Sequence, residues 1–159
     1  MAPTTFRFGD KVIPSQQVFI ARRHVYAMVN VSPLVPGHVT VVPTRVVQHF
    51  KDLTELETLE LFVCSKEIAK KFQDTFNVRS FSFLIQDGDN AGSQVKHVHM
   101  HIMPRDDNQN SPQKSVISFQ EQHRIERNLM EMAEEANTYK NLFEKRNLLD
   151  GQYNGSRHS

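Results

Sequence analysis

Three histidines stand at alternate positions, His97, His99 and His101, within the run HVHMHI. In an extended chain, residues two apart share one face and each adds about 3.3 Å, so the imidazoles form a row spaced about 6.6 Å apart. Val98, Met100 and Ile102 then point into the core, with the histidines on the opposite, solvent-facing row. A slip of one residue would bury the histidines and expose the apolar set, so the alternation fixes the register. Near neutral pH an imidazole can act as nucleophile, proton donor or hydrogen-bond relay. A row of three therefore suits phosphate chemistry, in which one ring attacks, another protonates the leaving oxygen and the third holds tautomers in place. Two other readings compete. A zinc-binding structural domain could use adjacent same-face histidines, but the one cysteine is Cys64 and no Asp or Glu alternates with the row. A plain surface strand would more often mix Thr, Lys and Glu at such positions.

The row needs a sheet to hold it. FRF (Phe6 to Phe8), VFIAR (Val18 to Arg22) and HVYAMVN (His24 to Asn30) have the aromatic and β-branched content of strands. Pro33 to Gly37 has turn chemistry, and HVTVVP (His38 to Pro43) follows as another strand. From Thr54 to Phe76 the period changes. Thr54 and Glu57 form a capping-box signature, Leu56, Leu59 and Val63 recur at helical spacing, and Ile68, Ala69, Phe72 and Phe76 continue the apolar stripe. SFSFLIQ (Ser80 to Gln86), the loop DGDNAG (Asp87 to Gly92) and VKHVHMHIM (Val95 to Met103) read as an antiparallel pair that stops at Pro104. Ser118 to Lys145 reads as a second helix, with Ile125, Leu129, Met132, Ala136 and Tyr139 on one side.

The predicted fold is α+β, an antiparallel sheet of about five strands with one long helix and a C-terminal helix. Residues 1–105 form the core and 106–117, polar and proline-containing, a flexible loop. Residues 118–147 complete the same domain, and 148–159 are a disordered tail. With 159 residues the chain is long enough for one self-sufficient core. Lys and Arg number 19 against 18 for Asp and Glu, so no global field recruits nucleic acid or a membrane, and any anion site is local. The single cysteine excludes an intramolecular disulfide, and no apolar run approaches the roughly 20 residues that span a bilayer. MAPTTFRFGD has neither an apolar signal core nor a basic transit character, so a cytoplasmic location is expected, with the nucleus open.

The run QDGDNAGSQVKHVHMHIMPR, Gln86 to Arg105, resembles the histidine triad superfamily and is most similar to its fragile histidine triad branch, the diadenosine triphosphate hydrolases. FRFG, MVNVSPLVPGHVTVVPTR, KDLT and MAEEA extend the similarity from Phe6 to Phe143, with gaps around Asp106 to Ser118. The resemblance implies that His99 attacks the α-phosphorus of a dinucleoside polyphosphate and forms a nucleotidyl-histidine that water then hydrolyses. It implies that His101 contacts phosphate and protonates the leaving group, with His97 and His38 as supporting imidazoles. His38 follows the Pro36-Gly37 turn, which can bring it beside the triad strand. Gln86 is implied to touch the bridging phosphates, Asn30 the ribose hydroxyls, and Phe8, Ile13 and Met28 to line an apolar adenine pocket. The family usually has Gln followed by Ser or Thr before Val95, whereas this chain reads Ser93 then Gln94, both able to bond phosphate.

The same resemblance implies a homodimer with a continuous sheet, and Mg²⁺ or Mn²⁺ carried on the substrate phosphates rather than by a protein metal site. The products would be AMP and ADP. A nucleoside phosphoramidate hydrolase is the nearest rival, and the QDG loop and NVSPLVPGH speak against it. A nucleotide-binding signalling protein, whose output is the substrate complex, would use the same site.

Overall fold

The computed structural model describes residues 5–106 and 125–150, with side chains described as far as 144. Seven strands and two long helices appear in the order β1 (Phe6–Phe8), β2 (Lys11–Ile13), β3 (Val18–Ala21), β4 (Val25–Val29), β5 (Val39–Pro43), α1 (Glu55–Phe76), β6 (Ser80–Leu84), β7 (Met100–Arg105) and α2 (Leu129–Asp150). Five strands form one antiparallel sheet ordered β3-β4-β5-β7-β6, while β1 and β2 pair as a separate hairpin. The α+β class and the five-stranded sheet agree with the sequence reading. The β2 strand was not anticipated.

Strands β4 and β5 are buried along their whole length, because both faces of the sheet are covered. On one face Val25, Ala27, Val29, Val39 and Val41 pack with Leu61, Cys64, Ile68 and Phe72 of α1 and with Met132, Ala136 and Tyr139 of α2. On the other face Tyr26, Met28 and Val42 pack with Phe6, Phe8 and Ile13 of the hairpin. The β1–β2 turn needs Gly9, which has φ +64°, and a Cβ there would meet Val95 Cγ1 at 2.9 Å.

Helix α1 starts as the sequence predicts. Thr54 Oγ1 accepts from the Glu57 amide at 3.1 Å, and the Thr54 amide donates to Glu57 Oε1 at 2.9 Å. Arg45 closes over this cap, its guanidinium 2.7 Å from Glu57 Oε1. The predicted stripe needs correction. Leu61, Cys64, Ile68 and Phe72 are the buried set, whereas Leu56, Leu59 and Val63 are exposed, Leu59 to 60%. Five residues separate Leu56 from Leu61, a rotation of about 140° at 100° per residue, so α1 carries two apolar stripes and only one meets the sheet.

The second helix also differs from its predicted bounds. Residues 125–128 are not helical, α2 begins at Leu129, and Ile125 and Leu129 are exposed, so the buried side is Met132, Ala136 and Tyr139. Helix α2 runs to Asp150, past the helix end predicted at Lys145 and through residues 148–150 of the segment read as a disordered tail. The predicted loop at 107–117, the start at Ser118 and the tail from 151 lie outside the described residues. Among those described, no helix is long and apolar enough to cross a membrane.

Candidate active site

Strand β7 is the spine of the site. It begins at Met100, so of the three triad histidines only His101 is in a regular strand, paired with Thr40 of β5 and Leu84 of β6. His97 and His99 lie in the irregular segment that leads into it. The alternation nevertheless persists, since Val98, Met100 and Ile102 all join the core beneath the helices. The expected solvent-facing row is not found. His97 is 1% and His99 6% exposed, because the β1–β2 hairpin folds over them. Phe8 stands edge-on to His99, with ring centroids 4.8 Å apart.

Each triad ring has a tautomer that its neighbours dictate. His97 Nε2–H donates to the Pro43 carbonyl at 2.8 Å, and its Nδ1 accepts from the Gly9 amide at 3.0 Å. Both nitrogens of His97 are therefore committed to holding the hairpin against the sheet. His99 Nδ1–H donates to the His97 carbonyl at 2.7 Å, which leaves the in-plane lone pair on Nε2, the atom a nucleophile needs. Burial pushes the pKa of both rings below 6.5, outweighing the backbone hydrogen bonds that favour protonation. His99 is thus held neutral and nucleophilic.

His38 is fully buried and reaches the triad as expected, its Nε2 2.9 Å from His101 Nδ1. The Leu34 amide donates to His38 Nδ1 at 3.1 Å. The ring preceding Thr40 is therefore fixed from its far side, by the turn that Gly37 makes possible. Gly37 has φ +79°, and a Cβ there would come within 2.8 Å of the Phe76 ring.

A cavity of about 470 Å³ opens in front of these rings. Of the residues singled out from sequence, Phe8, Ile13, Met28, Asn30, Gln86, Gln94, His99 and His101 line it. His97 and His38 stand behind the wall. Ser93 is not brought in; its hydroxyl donates to the Val95 carbonyl at 2.9 Å, so it shapes the glycine loop while exposed Gln94 faces the cavity. Gln86 is tied to the same loop, its Nε2 2.9 Å from the Ala91 carbonyl. The Asn30 carboxamide lies 2.9 Å from His38 Nε2 and bonds the Thr40 hydroxyl with its other end.

Several lining residues escaped the sequence reading: Lys11, Gln17, Thr40 and Glu126. Lys11 shares a strand face with Ile13, and Gln17 precedes Val18, the partner of Met28, so both could have been found by extending the strand pairing. Arg127 had no local signal. Its guanidinium donates to the Asn30 carbonyl and pairs with Glu135, and its backbone amide donates to the Val31 carbonyl at 2.8 Å. The chain thus returns from beyond residue 124 to clamp the strand end that carries Asn30.

Comparison with known proteins gives a consistent picture. Residues 11–108 match the HIT domain family. The chain is 37% identical over 154 residues to the bifunctional bis(5'-adenosyl)-triphosphatase/adenylylsulfatase FHIT of Arabidopsis thaliana, covering 89% of this chain and 86% of the relative. It is 38% identical over 144 residues to the bis(5'-adenosyl)-triphosphatase of Dictyostelium discoideum, covering 89% and 95%. Among solved structures, the Plasmodium falciparum diadenosine triphosphate hydrolase in complex with Cyclomarin A aligns with a TM-score of 0.78 at 30% identity, covering 91% of this chain and 88% of that one.

Proposed function

The chain belongs to the HIT domain family, and from that membership we propose that it hydrolyses dinucleoside polyphosphates of the diadenosine triphosphate type, cutting at an α-phosphate to give AMP and ADP. The observation that carries this reading is the donation of His99 Nδ1–H to the His97 carbonyl, which aims the Nε2 lone pair of a buried, neutral imidazole at a cavity of nucleotide size.

The steps follow from the tautomers. His99 Nε2 forms a bond to the α-phosphorus as the bond to the bridging oxygen breaks. The departing ADP oxygen leaves as its anion, accepting a hydrogen bond from the His101 Nε2–H that the His38 contact holds in place. Water then attacks the adenylyl-His99 phosphorus as the bond to Nε2 breaks, its proton is lost to solvent, and AMP leaves with His99 restored. Each displacement is easier than direct attack by water. Gln86 and Gln94 are amides, able to donate to phosphate oxygens without adding charge, and Asn30, on the same cavity wall, is the side chain we assign to the ribose hydroxyls.

Among the described residues no group of three or more His, Cys, Asp or Glu is placed to hold a metal ion. In this reading Mg²⁺ or Mn²⁺ arrives with the substrate, neutralising its polyphosphate. A second copy of the chain is the partner we assign to the unburied stripe of α1, Leu56, Leu59, Phe62 and Val63, and to the open edge of β6 with its exposed Phe83. Such a C₂ contact covers a sheet edge that would otherwise invite aggregation. Cytoplasm or nucleus suits a chain whose lone cysteine is a buried free thiol.

Incubation with a panel of dinucleoside polyphosphates tests the reaction. AMP and ADP from diadenosine triphosphate, with an adenylyl adduct trapped on His99, are expected. Cleavage without any adduct, or no cleavage of the panel, would overturn it.

A further inference from the structure

Gln17 is a buried amide in an apolar wall that none of the chemistry above uses. It is 4% exposed, yet it lines the cavity at the end formed by Phe8, Ile13 and Met28. Its Nε2 donates to the Val29 carbonyl at 2.8 Å and lies 3.9 Å from Met28 Sδ. Those two contacts occupy the amide hydrogens and fix the orientation of the group, because an oxygen in place of Nε2 would face the Val29 carbonyl lone pairs. The opposite atom, Oε1, accepts no hydrogen bond from the described residues and is not sealed from solvent. In a residue so nearly buried, that oxygen is open to the cavity.

We propose that Gln17 Oε1 reads the base, accepting a hydrogen bond from the exocyclic amino group of adenine and so favouring 6-aminopurine over 6-oxopurine nucleotides. The assignment rests on the cavity being a nucleotide site, as proposed above. An acceptor with no donor beside it selects a base by what the base donates. On the N1–N6–N7 edge of adenine the amino group is the one donor, and its flanking acceptors cost little against thioether and alkyl surface. A 6-oxopurine presents a carbonyl at that place. Against Oε1 that carbonyl meets repulsion, and a base shifted to bring its N1–H onto Oε1 leaves O6 against Phe8, Ile13 or Met28, none of which can donate. Lys11, the other polar group near Ile13, is on the exposed rim. A polar site that loses its hydrogen-bond partner discriminates far more sharply than an apolar pocket does.

The test uses the full chain and calorimetric binding of AMP, GMP and purine riboside 5'-monophosphate, which lacks the 6-amino group, beside hydrolysis of diadenosine triphosphate. Unaltered protein should bind AMP about 10-fold more tightly than either analogue. Gln17→Leu should bring all three within about 3-fold of one another, a loss confined to AMP. Equal binding of AMP and purine riboside monophosphate by the unaltered protein overturns the proposal whether or not the variant folds, and so does a Gln17→Leu protein that still prefers AMP. Discrimination among mononucleotides without hydrolysis would sink the hydrolase reading and leave Gln17 standing. Hydrolysis without discrimination would do the reverse.

Discussion

His38 Nε2 lies 2.9 Å from His101 Nδ1, and the Leu34 amide on the far side of the His38 ring decides the direction of that hydrogen bond. With Nδ1 occupied as an acceptor, neutral His38 carries its proton on Nε2 and donates it to His101 Nδ1, which requires the Asn30 carboxamide to turn its oxygen toward Nε2 and its NH2 toward the Thr40 hydroxyl. His101 must then carry its own proton on Nε2. A backbone amide in the 34–38 turn thereby sets the protonation state of a ring on another strand.

The His38 relay predicts a dependence on the leaving group. In His38→Asn, His101 can adopt either tautomer, so departure of ADP should slow by about 10-fold or more, a partial loss of the roughly 10²–10⁴-fold typical of proton-donor catalysis. An adenylate ester with a dinitrophenolate leaving group, much less basic than ADP, relies far less on that donor and should be cleaved closer to the normal rate. Equal slowing of both substrates would show that His38 acts on something other than the proton.

His97 predicts a stability effect distinct from chemistry. In His97→Ala the Pro43 carbonyl and the Gly9 amide both lose a partner, at a cost of about 1–3 kcal/mol for each group left buried and unsatisfied. Urea denaturation should show the loss. Hydrogen exchange should localise it to the β1–β2 hairpin, and an exchange rate at Gly9 unchanged from the native protein would contradict the assignment.

Protonation of buried rings predicts how stability varies with pH. Burial lowers the folded-state pKa of His97 and His99 below 6.5. Their contribution is complete above 6.5 and is lost as pH falls from there toward the lowered values, because the unfolded chain takes up protons the folded rings refuse. Glu57, whose carboxyl Arg45 holds below 4.5 despite its burial, acts only in a lower window. Urea midpoints at pH 7.5, 6.5 and 5.5 should therefore decline across the last interval, and His97→Asn should flatten the decline. A midpoint independent of pH over that interval would refute the account.

The free stripe of α1 predicts the state of assembly. Leu59→Glu places a charge on the exposed side, opposite the buried Leu61 and Ile68, so the fold should survive while the pairing of copies does not. Sedimentation should read twice 18.4 kDa for the native chain and 18.4 kDa for the variant. A native chain that sediments as a monomer at micromolar concentration ends the dimer reading.

What could be read from the sequence divides along the range of the interactions. The capping box at Thr54 and Glu57, the strands and the inward side of Val98, Met100 and Ile102 follow from local periodicity, so they were legible. Burial of His97 and His99 was not, because it depends on a hairpin 88 positions away, joined through Gly9 to His97. The choice between the two stripes of α1 was equally hidden, since Leu56 and Leu61 are alike as residues and only the sheet distinguishes them. Arg127 reaches Asn30 across 97 positions. Ser93 and Gln94 were ambiguous until the hydroxyl was seen bonded within its own loop.

Replacing His99 separates folding from chemistry most directly. In His99→Asn the shorter amide can still donate toward the His97 carbonyl, the bond His99 Nδ1 now makes, and Val98 and Met100 keep their core places. The fold should therefore hold, with a small cost for the space left beside Phe8. Turnover should not hold. Neither of the other triad imidazoles can stand in, because His97 has both nitrogens engaged and His101 serves the leaving group. A loss of about 10⁴-fold or more in kcat is the usual scale for removing a nucleophile. Binding should persist through Gln86, Asn30 and the base end of the cavity, so the variant should retain substrate that the native enzyme consumes. If His99→Asn keeps more than about a tenth of the native kcat, a difference of only about 1.4 kcal/mol in barrier, covalent attack by this residue is wrong.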